Sequence, residues 1–134
     1  MAAFDEALSR APDYTHAYVH KGIALLAQVD LLAALSRYQD AEGAFSDAAA
    51  ALDEALRRIP DDADVHLLKA QTLVSQGELV RILGARDHVV HTLWEEARSH
   101  AERVFTLVPR HDKAELLLAE IRDLLDTLDD SSQG

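Results

Sequence analysis

One nine-residue phrase occurs twice in this chain of 134 residues, each time with a proline near its end. Residues 5–13 read DEALSRAPD and residues 53–61 read DEALRRIPD, so the two copies lie 48 residues apart. A third proline, Pro109, follows at nearly the same interval. A fixed period of this length is typical of repeat proteins, in which each unit buries its apolar face against the next one.

Apolar residues before each proline predict a helix that the proline ends. The positions one, four, five and eight residues before the prolines are apolar in all three copies: Ala11, Leu8, Ala7 and Phe4; Ile59, Leu56, Ala55 and Leu52; Val108, Phe105, Val104 and Ala101. Spacings of three and four residues place such side chains on one face of a helix. Proline stops the helix because it lacks an amide donor and its ring clashes with the preceding turn.

The pattern restarts after each proline. The candidate caps for the following helices are Asp13, either Asp61 or Asp62, and Asp112, and Asp112 has Glu115 three residues on, as in a capping box. Gly43 and Gly84 are candidate turn residues between long helices. We therefore predict helices at about 2–11, 14–37, 42–59, 62–83, 88–108 and 112–129.

Composition narrows the classes of partner. Hydrophobic residues make up 49% of the chain with only 5% aromatic, which favours closely packed helices over sheets. The formal net charge of -11 has the wrong sign for nucleic acid or anionic lipid, although the acidity equally fits a high-salt habitat. Cysteine is absent and the first residues do not resemble a signal peptide, so we expect a cytoplasmic protein that does not bind membranes.

Residues around the prolines resemble the tetratricopeptide repeat, a family of helical hairpins. The residues that carry the resemblance are Phe4, Ala7, Pro12, Tyr18, Gly22 and Leu25 in one copy and Leu52, Ala55, Pro60, His66, Ala70 and Leu73 in the next. The family period is about 34 residues, whereas this chain repeats at 48 or 49. The excess equals about two added turns in each antiparallel helix, which preserves the packing faces.

The resemblance implies an all-α fold of antiparallel helical hairpins stacked as a right-handed solenoid. We expect one domain over residues 1–130, made of a half-repeat at 1–11, hairpins at 13–59 and 61–108, and a capping helix at 111–130. Residues 131–134 are expected to be a disordered tail. An ordinary antiparallel helix bundle without superhelical stacking is the alternative.

For function, the resemblance implies a noncatalytic protein-interaction module or scaffold that holds a peptide or protein segment in a groove. Family offsets after the proline place the groove at His16, Val19, Ile23, Leu26, Asp64, Leu67, Gln71 and Val74. This lining is largely apolar, which suits an amphipathic helix of a partner. The same residues are equally compatible with a plain core, because apolar helical stripes are usually buried.

Two alternatives to a binding module stay open. Residues 1–11 match only the closing half of a repeat, so we expect further repeat sequence upstream or a second copy covering the first long helix as a homodimer. Histidines at His16 and His20, at His88 and His91, and at His66 beside Asp64 raise a metal-dependent helical enzyme as the other alternative. No cofactor or catalytic motif is recognised, so we predict neither a bound metal nor an enzyme.

Overall fold

The computed structural model describes residues 15–133, which form five α-helices. Their bounds are α1 at Thr15–Ala34, α2 at Tyr38–Arg58, α3 at Ala63–Ile82, α4 at Asp87–Leu107 and α5 at Asp112–Gln133. Each of the five lies within a few residues of a predicted helix, and α5 extends beyond the predicted end. The predicted helix at 2–11 lies outside the described residues.

Helices α1 and α2 form a hairpin that packs through a small residue of α1. The chain divides into two compact units between Val65 and His66, and this hairpin belongs to the first. A side chain added at Gly22 would meet Leu52 Cδ2 at 3.0 Å and the carbonyl oxygen of Ala48 at 3.6 Å. Gly22 therefore lets the two helices approach closely.

The turn of the first hairpin is made by Ser36, and the prediction that Gly43 marks this turn is wrong. Ser36 has a φ of 58°, and its neighbour Arg37 donates its amide to Leu32 at 2.8 Å. Gly43 lies inside α2 and a side chain there would meet no atom within 4 Å. The turn residue has a left-handed backbone conformation, which a small polar residue, Ser36, adopts here instead of a glycine.

Gly84 does mark the turn of the second hairpin, as predicted. Its φ is 93°, a conformation that favours glycine, and it lies between α3 and α4. The amide of Ala85 donates to the carbonyl of Val80 at 2.9 Å across this turn. Such a bond closes the end of α3 and satisfies one of its last carbonyl groups.

In the second unit, α3 packs against α4 around Trp94. This indole is fully buried, and its Nε1–H donates to the backbone carbonyl of Val74 at 3.1 Å. Gly77 of α3 lies directly under the ring, since a side chain there would come within 2.2 Å of Trp94 Nε1. The indole therefore occupies space that only a glycine leaves open.

Helix α5 adds a third layer to the second unit by packing on α4. The buried residues of α5 recur at three- and four-residue spacings: Ala114, Leu117, Ile121, Leu125 and Leu128. The residues between them are mostly exposed and many are acidic. This amphipathic pattern is the one expected of a helix with one solvated face.

Helix caps follow the sequence prediction only in part. Of the two alternatives predicted for α3, Asp62 is the cap, since its Oδ1 accepts the amide of Val65 at 3.2 Å. The predicted cap at Asp13 lies outside the described residues. The prediction that Asp112 caps α5 is wrong, because Asp112 is already the first helical residue. His111 caps this helix, its Nδ1 accepting the amide of Ala114 at 3.2 Å. An imidazole acceptor provides the bond that a carboxylate was expected to make.

Corresponding positions of the repeat are buried in both hairpins, which confirms the all-helical, tetratricopeptide-like arrangement of consecutive packed helices. The buried pairs, each 49 residues apart, are Ala41 and Val90, Phe45 and Trp94, Ala48 and Ala97, and Ala55 and Val104. The two hairpins differ in side-chain size at two corresponding positions.

Where the first hairpin has Phe45 on α2, the second has the larger Trp94 on α4. Where the first has Val29 on α1, the second has Gly77 on α3. Side-chain volume gained on one helix is thus removed from the other.

Gly77→Ala is expected to destabilise the protein by about 1–3 kcal/mol, because the added methyl group overlaps a buried indole that is held by its own hydrogen bond. The free energy of unfolding from urea denaturation measures this effect. A second substitution, Trp94→Phe, places at position 94 the smaller ring that the first hairpin has at Phe45. This change makes room for the added methyl group and should recover part of the lost stability.

Gly43→Ala is the matched control on another helix. Because the added methyl group meets no neighbour, it should stabilise α2 by about 0.5–1 kcal/mol through the higher helix propensity of alanine. Equal effects of the two substitutions would show that Trp94 does not constrain position 77.

Candidate binding surfaces

Helix α1 carries a row of apolar side chains, most of them exposed, which we name the α1 ridge. Every fourth residue from 19 to 35 is apolar: Val19, Ile23, Ala27, Leu31 and Leu35. Ile23, Leu31 and Leu35 are 48%, 62% and 58% exposed. Leu35 continues the helical path because its amide donates to the carbonyl of Leu31 at 3.1 Å. Rows of this spacing are the ridges that fit into the grooves of a second helix.

The opposite side of α1 is also apolar. Leu25 and Val29 are buried, and Gly22 faces Leu52 of α2. A helix that is apolar on several sides usually lies within a larger packed assembly. On the side of the α1 ridge, large apolar groups remain open to solvent in the described residues. The ridge is about 24 Å long at 1.5 Å per residue.

The structure places the predicted groove residues in different environments. In α1, His16 and Ile23 are exposed, whereas Val19 and Leu26 are half-buried. The predicted groove residues of α3 also differ in exposure. That the eight predicted residues form a groove stays a prediction.

Two of the four α3 positions are exposed and two are buried. Asp64 and Gln71 are exposed. Leu67 and Val74 are buried core residues, and Val74 also holds the Trp94 indole through its carbonyl. For these two residues the observations favour the alternative that an apolar stripe is simply core. The groove prediction missed Leu31 and Leu35, although their four-residue spacing from Ile23 is visible in the sequence.

An open cleft of 620 Å³ lies on another side of the first hairpin. Its lining residues are Tyr18, Lys21 and Leu25 of α1 and Asp47, Ala50, Ala51 and Glu54 of α2. The lining combines one cation, two carboxylates and small apolar groups. This mixed character does not select a ligand of one charge.

Glu54, which lines this cleft, forms ion pairs with two arginines of α2. Glu54 accepts hydrogen bonds from Arg57 and from Arg58, the latter at 3.1 Å. The Arg58 guanidinium also lies 5.1 Å from the centre of the Tyr18 ring, a cation–π contact between the two helices. The hydrogen bond from Arg57 is the main cause that lowers the pKa of Glu54, and desolvation opposes it.

His66 and His100 form a pair that sequence reasoning missed. Their Nδ1 atoms are 2.9 Å apart, joining α3 to α4. His66 was a metal candidate because of its neighbour Asp64, but the structure gives it a histidine partner 34 residues away. No local pattern could have found this contact, because it depends on how α3 and α4 pack.

The other histidine pair lies near the second hairpin turn. His88 and His91 line a cleft of 190 Å³ with Asp87, Leu128 and Asp129. His91 Nε2 lies 3.8 Å from a carboxylate oxygen of Glu95. Over residues 15–130, whose side chains are described, no three histidines or carboxylates come together in a group able to hold a metal ion.

The described helices also bear on membrane association. None of those between residues 15 and 133 has both the length and the apolar character needed to cross a lipid bilayer.

Glu54→Gln should lower the melting temperature at neutral pH, because it removes the ion pairs that hold Arg58 beside Tyr18. The pKa of Glu54 is lowered in the folded state, so its contribution is present above the usual carboxyl range and is lost as the pH falls through its folded pKa. The difference between the two proteins should therefore vanish in acid. A constant difference at every pH, measured by thermal denaturation, would contradict the ion-pair explanation.

Comparison with known proteins places one repeat on this structure. Residues 41–81 match the family model described as Tetratricopeptide repeat, a segment that runs from α2 through most of α3. The comparison with curated proteins gave no match. Tetratricopeptide repeats generally mediate protein–protein interaction, and the family is typically noncatalytic. Residues 41–81 of this all-helical chain thus carry a tetratricopeptide repeat, which lies across the end of the first hairpin and the start of the second.

Proposed function

We propose that this protein is a noncatalytic interaction module that binds an amphipathic helix of a partner protein along the α1 ridge. The observation that carries the proposal is the exposure of Ile23, Leu31 and Leu35 on one helical row. Scattered exposed apolar residues are common on protein surfaces, but a continuous row is typical of interaction sites.

The geometry of the α1 ridge supports a helical ligand. Apolar residues four apart form the type of ridge that most often packs between helices in globular proteins. A partner helix would place its own apolar row in the grooves beside Ile23 and Leu31. About four and a half helical turns are available for this contact, which is enough for three or four anchor residues of a bound helix.

Polar residues beside the α1 ridge provide a rim. His16, His20 and Asp30 are exposed on the same helix. Apolar anchors give most of the affinity in such interfaces, and a polar rim contributes to orientation. The net charge of -11 favours ligands with basic residues flanking their apolar face.

Three further features remain proposals: a groove that includes residues of α3, self-association, and a cytoplasmic location. The α3 positions Asp64 and Gln71 are exposed, and their role in a groove remains a proposal. A second copy of this chain is a competing occupant of the α1 ridge. A cytoplasmic location fits the absence of cysteine in the sequence.

The proposal predicts that Ile23→Asp combined with Leu31→Asp abolishes peptide binding. Helical peptides would be selected from a displayed library against the unmodified protein, and their dissociation constants measured by fluorescence anisotropy. Loss of two buried apolar anchors, each worth about 1.5–3 kcal/mol, should weaken binding by at least about hundredfold.

A matched control carries the same change of charge on other exposed residues. Ile82→Asp combined with Leu116→Asp replaces one isoleucine and one leucine that are 73% and 72% exposed. This variant should bind the selected peptides as the unmodified protein does. Equal weakening in both variants, or a failure to select any peptide, would contradict binding at the α1 ridge. Sedimentation velocity over a concentration range would identify self-association as the competing outcome.

A further inference from the structure

The α1 ridge has the same pattern when it is read in either direction. Ala27 lies at its centre, with Ile23 four residues before it and Leu31 four residues after it. Val19 and Leu35 lie eight residues from Ala27 on either side. An interface between two identical copies related by a two-fold axis needs a surface that matches itself. A row of larger apolar side chains placed evenly about a small central one meets this need.

An antiparallel pair of α1 helices brings this symmetry into register. With the two-fold axis at Ala27, residues equally distant from Ala27 lie at the same level along the helices. Ile23 then lies at the level of Leu31 of the second copy, and Val19 at the level of Leu35 of the second copy. The two Ala27 residues meet at the axis, where their small side chains let the helix axes come close together.

The charge of α1 permits a second copy to approach at the α1 ridge. The chain as a whole has a formal net charge of -11, so two copies repel each other at long range. Within residues 15–35, however, Lys21 and Asp30 are the only residues among Lys, Arg, Asp and Glu, and their formal charges cancel. Apolar contact along α1 is therefore not opposed by a local excess of negative charge.

The size of the α1 ridge indicates a weak and reversible contact. A ridge about 24 Å long on a helix about 10 Å wide gives a footprint of about 240 Å² on each copy. A stable interface of standard size buries about 800 Å² on each partner. A pair of copies joined only along this row is therefore open to displacement by a ligand that binds the same row more tightly.

We propose that two copies of this protein pair antiparallel through the α1 ridge, and that this dimer is the closed state of the recognition surface. The inference rests on the proposed function, because the helix that covers each ridge is the α1 of the other copy. A partner helix with basic flanks is attracted to a chain of net charge -11, whereas a second copy is repelled. The partner helix therefore displaces the second copy. Added salt screens both effects and shifts the balance towards the dimer.

Single cysteines test the arrangement, because the chain has no cysteine of its own. In the antiparallel pair, Ala27→Cys places two thiols at the axis, so oxidation should link the copies. Ile23→Cys alone should not link, because the two copies of position 23 lie about 12 Å apart along the helices, farther than a disulfide spans. A mixture of Ile23→Cys and Leu31→Cys should link one variant to the other.

Leu116→Cys is the control for random collision, because Leu116 is 72% exposed on α5. The expected result is that Ala27→Cys links faster than Leu116→Cys and that the mixture links while Ile23→Cys alone does not. Linking of Ile23→Cys alone would show a parallel pair and contradict the proposal. Linking of Ala27→Cys no faster than the control would show that the copies do not pair at the α1 ridge.

Peptide binding to the linked dimer separates this inference from the proposed function. The oxidised Ala27→Cys dimer should bind the library-selected helical peptides at least about hundredfold more weakly than the same variant after reduction, because each ridge is then covered. Equal binding by the oxidised and reduced forms would contradict the closed state. A protein that binds these peptides but stays monomeric in sedimentation velocity at every concentration would overturn the dimer and leave the proposed function intact.

Discussion

The packing of the Trp94 indole over Gly77 is the constraint on which the second unit depends. The indole is fully buried, so water cannot reach its Nε1–H, and the carbonyl of Val74 accepts the hydrogen bond instead. Because Gly77 has no side chain, α3 passes close to the ring. The separation of α3 and α4 that results also brings His66 and His100 within 2.9 Å. A contact in the core and a hydrogen bond between two histidines thus depend on the same helix spacing.

The first hairpin uses the same principle with different residues. Gly22 leaves space for the side chain of Leu52. At the repeat positions that hold Gly77 and Trp94 in the second hairpin, the first hairpin has Val29 and Phe45. Exchange of volume between facing helices preserves packing density without preserving residue identity. A duplicated hairpin can therefore diverge in sequence while its helices keep their bounds. In the first hairpin, this packing uses one side of α1 and leaves the α1 ridge exposed, which is the basis of the proposed binding function.

Features that depend on local periodicity were predictable from the sequence. The helices follow from apolar spacing and from prolines, and the role of Gly22 follows from its place in the repeat. Features that depend on contacts between helices were not predictable. The pairing of His66 with His100 joins residues 34 apart, and the burial of Leu67 and Val74 depends on what packs against α3. Two local predictions also failed, at Gly43 and Asp112, because Ser36 and His111 supply the same turn and cap chemistry with less common residues.

We propose that the exposed row on α1 is a recognition surface of this protein. Amide hydrogen exchange with and without a library-selected helical peptide tests it most directly, because it reports on every helix without altering the protein. We expect the bound peptide to increase protection from amide exchange over residues 19–35 and to leave α5 unchanged. Protection confined to other segments, with no change along α1, would contradict it.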